Sequence, residues 1–390
     1  MTPLSQQARG IAAVLLNNVL LGFAVGMFLP FVPLRLHEIG VSAGLIGLNA
    51  AASSVAVLSI AAVTTRLLRR IGYPVAIGLG AALFALALLG MMWREGFGAW
   101  TACRFIAGLG LALHWIASES WINQAASDAR RGRILSLYVA CFIGGTAAGS
   151  ASLDFLDMSG QRPFLIMIAL AVAATALIPL GRKGAPPTSG MPTAGLLVRV
   201  RQAPRLMATA LVMGIGQGSA LVLMAFYGVS AGLTQGAAVW LNAAYLIGGV
   251  LLQAPVGWAV DRFNRRRLLA CMALAAAGSN LLIHVFIHTT VPLYTLAFCG
   301  GGISLGLYTA GLALLGSRFQ SGGMAAANAA FILTWEMGML SGGPLAGGAI
   351  ALMGAVGFPL VTTSAMMAVV LITLWRRGNE AAVQNSNDVL

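Results

Sequence analysis

Gly257-Trp258-Ala259-Val260-Asp261-Arg262-Phe263-Asn264-Arg265-Arg266-Arg267 stands between two apolar runs, each long enough to cross a bilayer. One carboxylate is followed by four arginines within six positions. Such a cluster is prohibitively costly inside hydrocarbon, so it lies at a water interface. Short loops rich in Lys and Arg stay cytoplasmic, which fixes the orientation of the helices on both sides. A weaker copy stands 196 positions earlier, at Ala61-Ala62-Val63-Thr64-Thr65-Arg66-Leu67-Leu68-Arg69-Arg70. The arginines superpose in spacing, while Ala61 and Thr65 replace Gly257 and Asp261. Two related loops at that separation predict two related halves.

Composition agrees with a chain that lives in lipid. Of 390 residues, 59% are hydrophobic and 8% charged, with a mean hydropathy of +0.88. A soluble domain carries about 25% charged residues. The net charge of +13 sits in short loops between apolar runs, so topology and anionic lipid account for it and nucleic acid is not an expected partner. Cys103, Cys141, Cys271 and Cys299 fall inside apolar runs without metal-ligand spacing and read as small core residues, with no metal site expected. The first apolar run, Ile11 to Leu34, exceeds the core of a signal peptide and reads as a retained helix.

Spans need about 20 apolar residues each. Twelve fit: 11–35, 43–66, 74–93, 98–122, 133–155, 162–180, 205–230, 236–259, 268–287, 291–315, 324–350 and 356–375. With the N-terminus inside, 19 of the 23 Lys and Arg fall on the cytoplasmic side. Three (Arg35, Arg94 and Arg162) fall outside, and Arg104 is left within span 4. This bias places both termini in the cytoplasm. Residues 182–204, with Pro186-Pro187 and four basic residues, form a linker between a first bundle, 1–181, and a second, 205–390. Gly144-Gly145 to Gly149 in span 5 matches Gly342-Gly343 to Gly347 in span 11 at an offset of 198, and span 4 matches span 10 at 194. Parallel halves of this kind place a substrate site near the midplane between them.

The pattern Gly257-x-x-x-Asp261-Arg262-x-x-Arg265-Arg266 resembles the signature loop of the major facilitator superfamily of secondary transporters. Glu119-Ser120-Trp121 is similar to one bacterial subgroup, the YcaD-like transporters. The resemblance implies an all-α membrane protein with twelve helices in two pseudo-symmetric six-helix bundles. It also implies a bacterial inner-membrane location and alternating access. It makes Gly257, Asp261, Arg262, Arg265 and Arg266, with Arg66, Arg69, Arg70 and Glu119, candidates for a cytoplasmic gate. Thr65 carries no charge, so the first-half copy departs from the pattern. Arg104-Phe105-Ile106-Ala107-Gly108-Leu109-Gly110 resembles the family's helix-4 pattern, whose arginine is associated with proton movement in proton-coupled members.

Two charged residues stand inside spans. Arg104 has no acid at helical spacing, and Glu119, fifteen residues on, is about 22 Å away along the axis. Its partner is therefore another helix, backbone carbonyls, water or substrate. Glu336 falls near the middle of span 11, where a carboxylate costs about 2.5–3.5 kcal/mol on insertion scales. A carboxylic acid removed from water favours its protonated form, which suits a group that loads and releases a proton. At the offset of 198 its counterpart is Tyr138, so the repeat did not require a charge there. Glu336 and Arg104 are the candidates for coupling or substrate binding.

Asn18, Asn49, Tyr138, Gln217, Tyr227, Tyr245, Tyr308 and Trp335 are the candidates for a mostly apolar cavity, with Phe28 and Phe226 as further aromatic wall. Gly342-Gly343-Pro344 and Gly347 resemble a glycine-proline pattern of drug/proton antiporters, displaced here from span 5 to span 11, and would allow bending or close sliding. His114 and His284 read as packing residues. Gly302-Ile303-Ser304-Leu305-Gly306 has the spelling of a serine-hydrolase elbow, but that elbow needs a strand-to-helix turn and this match lies in a long apolar helix, so no enzyme is expected. The sequence predicts a monomeric, proton-gradient-driven exporter of small, largely apolar compounds, without a cofactor. Proton-symport uptake, and a sensor or scaffold that has lost transport, are the alternatives.

Overall fold

The computed structural model describes residues 3–126, 131–186, 203–318 and 324–375. The first half contains α1 (Pro3–Glu38), α2 (Ala43–Trp93), α3 (Phe97–Ala125), α4 (Arg131–Ser152) and α5 (Arg162–Gly181). The second contains α6 (Pro204–Ser230), α7 (Gln235–Leu251), α8 (Gln253–Arg262), α9 (Arg265–Val285), α10 (Thr290–Arg318), α11 (Met324–Met353) and α12 (Gly357–Leu374). Residues 187–202, most of the expected linker, lie outside the described residues, as do Arg130, Arg376 and Arg377.

Among the described residues, ten helical stretches are long and apolar enough to cross a membrane, and the bent pair α7–α8 makes one more. The stretch Ala330–Leu374 is a hairpin, reversed at a turn over Gly354–Val356 where Gly354 has φ 71°. Counted as two, it brings the spans to the expected twelve. Helix α2 likewise carries two spans. Gly72, at φ 75° and ψ 165°, turns the chain back, a conformation open to glycine because it lacks a Cβ. Arg35 at the end of α1 bonds both Glu38 and Glu95, so both ends of α2 lie on one face of the bundle. Arg66, Arg69 and Arg70, expected in a loop, therefore occupy the last turns of the first arm of α2.

Span 8 is not straight. It bends by 44° between α7 and α8. Pro255 has no N–H to give to the Leu251 carbonyl, which removes a rung of the helix at the bend. After α8 the chain turns at Phe263, and Asn264 caps α9 by accepting a hydrogen bond from the Arg267 amide at 3.1 Å. Asn264→Ala should lower stability by about 1 kcal/mol, read as a fall in the unfolding temperature of the purified protein, whereas Asn264→Ser should keep most of it.

The internal repeat is visible in backbone contacts. A Cβ on Gly145 would meet Val19 O at 2.5 Å, and one on Gly149 would meet Phe23 O at 2.0 Å. In the second half a Cβ on Gly338 would meet Leu211 O at 1.9 Å, and one on Gly342 would meet Ile215 O at 2.6 Å. Gly108 on Ser53 corresponds in the same way to Gly301 on Tyr245. These pairs set the offset at 192–193, and the 198 read from the glycine spelling is corrected by more than one helical turn. The counterpart of Glu336 is then Ile143, not Tyr138. Small residues drive this packing because lipid-embedded helices gain from close backbone approach.

Candidate functional site

The contacts that join the two halves lie toward the end of the molecule opposite the arginine-rich turns. Gly47 on α2 faces Gly343 on α11, where an added Cβ would sit 2.3 Å from Gly343 O, and Gly347 is as close to Ala43 O at 2.5 Å. On the other side of the interface Ser150 Oγ donates to Val239 O at 3.1 Å, and Asn242 Nδ2 donates to Ser150 Oγ at 3.0 Å. The Trp240 indole donates to Asp154 at 3.1 Å, Gln235 bonds Glu38, and His37 stands edge-on to Phe226 at 5.3 Å. Helix α11 runs unbroken through Pro344. The glycines around it serve close approach, Gly343 and Gly347 to the first half and Gly342 to α6, rather than a bend.

Glu336 lies seven residues before Gly343 and eleven before Gly347, on the same face of α11. It therefore points toward the first half, about 10 Å along the axis from the glycine contact and on the arginine-rich side of it. Its side chain is half-buried. Trp335 beside it donates to Gln217 Oε1 at 2.8 Å, and Gln217 in turn donates to Ser304 O. Tyr308 on α10 packs at 5.0 Å from the Trp335 ring and 5.8 Å from Phe331. From the first half, Glu119 on α3 stands one helical turn from Trp115, whose ring packs edge-on to Phe142 at 4.9 Å. Tyr308 lies within electrostatic reach of both Glu119 and Glu336. Glu336, Trp335 and Tyr308 of the second half and Glu119 and Trp115 of the first, all half-buried, make the site.

Most other sequence candidates are sealed inside one half. Arg104 is 1% exposed; its Nη1 donates to Asn49 Oδ1 at 3.1 Å and its Cζ sits 5.3 Å over the Phe28 ring. Asn49 also donates to Thr101 at 2.9 Å. The Arg104 Nε has no hydrogen-bond partner, and no described carboxylate pairs with the guanidinium. Asn18 donates to Tyr138 O at 2.9 Å, and the Tyr138 hydroxyl meets Ser118 at 2.8 Å. Tyr245 is buried facing Ser304. Tyr227 stacks on Phe358 at 4.5 Å and bonds His284 Nδ1 at 3.0 Å, so it belongs to packing near the closed end, while Phe226 lines a small cavity there with His37 and Ile350. His114, taken from sequence as packing, bonds Asn17 at 2.6 Å within the first half. Of the cysteines expected in the core, Cys271 is exposed.

Among the gate candidates, Asp261 is exposed and forms no described ion pair. Arg262 stands 5.1 Å over the Trp258 ring. Arg265 donates to Ala313 O at 3.1 Å and Arg266 to Thr373 O at 2.6 Å, capping the ends of α10 and α12 within their own half. Gly257 has open space where a Cβ would be, so it is not a close-approach point in this conformation. Arg66, Arg69 and Arg70 remain at the end of the first arm of α2.

Comparison with known proteins agrees with this architecture. The model of the Major Facilitator Superfamily matches residues 14–241 and 206–389, and the chain belongs to that family. It is 26% identical over 336 residues to the MFS-type transporter YfkF of Bacillus subtilis (strain 168), covering 84% of this chain and 85% of that one. It is 24% identical over 343 residues to the MFS-type transporter YcaD of Salmonella arizonae, covering 87% and 88%. Among solved structures, the nucleoside transporter NupG superposes with a TM-score of 0.75 at 11% identity, covering 94% of this chain and 98% of that one. The D-xylose-proton symporter gives 0.68 at 14% identity, covering 95% and 98%. At such identities the solved structures speak for the fold alone. The chain is a multi-pass membrane transporter and not an enzyme.

Proposed function

We propose that the chain exports small, largely apolar compounds in exchange for protons, by alternating access across a bacterial inner membrane. The arginine-rich face is cytoplasmic, as the distribution of basic residues favours. With the halves joined at the opposite end, the conformation described is the inward-facing one. Glu336 carries this reading: it is an acid at mid-bilayer depth, half-exposed, on the face of α11 that meets the other half. For a neutral solute exchanged against one proton, one charge crossing about 150 mV releases about 3.5 kcal/mol, enough for a gradient of a few hundred-fold.

The test starts with a thermal-shift screen of the purified protein against metabolites, dyes and siderophores at two pH values. A hit is then assayed for counterflow and for pH-jump flux in proteoliposomes. Export by exchange predicts that protons move opposite to the solute. Movement in the same direction makes the protein a symporter, and solute flux without proton movement removes the coupling.

A further inference from the structure

We propose that Glu119 and Glu336, one from each half, hold an organic cation between aromatic walls, so that the transported compounds are hydrophobic amines or quaternary ammonium and phosphonium ions. This inference rests on the transport reading above and names the substrate class of that site. Glu119, a gate candidate from sequence, lies on α3 one helical turn from Trp115, and no described arginine pairs with its carboxylate. Glu336 likewise has no described cation as partner. Tyr308 lies within electrostatic reach of both.

The aromatic lining supports the same ligand chemistry. Trp115 contributes from the first half, while Trp335 and Tyr308, in mutual contact at 5.0 Å, contribute from the second. The faces of Trp and Tyr attract cations, more strongly where water is excluded. Two like charges facing one cleft repel, and a cation between them relieves that repulsion. The sign of the ligand follows from what the cleft lacks. Among the described residues Arg104 is the one cation well inside a span, and it is shut behind Asn49 and Phe28 at 1% exposure. An anionic ligand would meet two carboxylates and no accessible partner.

Tetraphenylphosphonium and tetraphenylborate have nearly the same shape and opposite charge, so they isolate the electrostatic part of binding. Equilibrium binding of each to the purified full-length protein, corrected for binding to detergent alone, gives the comparison. The inference predicts saturable binding of the phosphonium and none of the borate. It also predicts that Glu119→Gln and Glu336→Gln each weaken phosphonium binding by about 30-fold or more, the loss expected when one member of a desolvated charge pair is removed. A monodisperse elution profile with an unchanged unfolding temperature shows that each variant is folded. Equal binding of the borate, or phosphonium affinity unchanged in Glu119→Gln, overturns the proposal. Phosphonium binding without counterflow in proteoliposomes would leave the cation site standing and overturn the transport reading. Proton-driven accumulation of a neutral compound, lost in Glu336→Gln, in a protein that does not bind phosphonium would do the reverse.

Discussion

Replacing Glu336 by glutamine should bring concentrative transport to a stop while leaving the carrier able to exchange its solute. In proteoliposomes under an imposed pH difference of about 2.5 units, accumulation should fall from a few hundred-fold to about one. Solute-for-solute counterflow, which needs no net proton movement, should continue once the solute concentration is raised to offset the weaker binding. The substitution keeps shape and a hydrogen-bonding group, and an amide is less costly than a carboxylate at this depth, so the unfolding temperature should hold or rise. A glutamine variant that still accumulates solute to the native level would show that the proton travels elsewhere. The nearest alternative is Glu119, across the cleft.

A second large effect is expected where the halves meet. At Gly47 an added Cβ would lie 2.3 Å from Gly343 O and 3.1 Å from Gly347 Cα, both backbone atoms that cannot step aside. Gly47→Val should therefore oppose closure at this end. Overpacking of this kind costs about 1–3 kcal/mol, which reduces the inward-facing population about 5- to 150-fold relative to the outward-facing one. Flux should fall accordingly, and a cysteine placed in the closed interface, for example at Ser150, should become reactive to a membrane-impermeant maleimide. Gly348 has nothing within 4 Å, so Gly348→Ala should be silent. Gly338 packs on α6 inside its own half, so Gly338→Val should lower stability instead. This pattern separates a conformational effect from a folding one.

The spans and their alternation were legible because they rest on long apolar runs and on the placement of arginines, signals that no single contact can override. Register was not. Glycines recur so often in span 5 and span 11 that their spelling aligned at 198, whereas the backbone contacts of Gly145 and Gly338 require 193. The bend of span 8 had a signal in Pro255 that the apolar run concealed. Arg104 could be seen to need a partner, but Asn49 is 55 residues away and nothing local points to it. Polar side chains in lipid satisfy one another within a bundle, which is why Asn18, Asn49, Tyr138, Gln217 and Tyr245 turned inward instead of lining a cavity. The facing of Glu336 toward the first half was not readable from sequence alone. Spacings of seven and eleven put it on one stripe with Gly343 and Gly347, once those glycines are known to mark the interface.

The account stands on the two halves exchanging which end is closed. Spin labels at Gln161 and His288, on the end closed here, and at Arg70 and Arg267, on the arginine-rich end, would report both distances in one cysteine-substituted background by pulsed electron resonance. The account predicts two populations. In the inward-facing one the first pair is close and the second is apart; in the other the order reverses, and a transported ligand or a change of pH shifts the weights of both pairs together. A single, unchanging distance at each end, in the presence and absence of ligand and across pH, would contradict it.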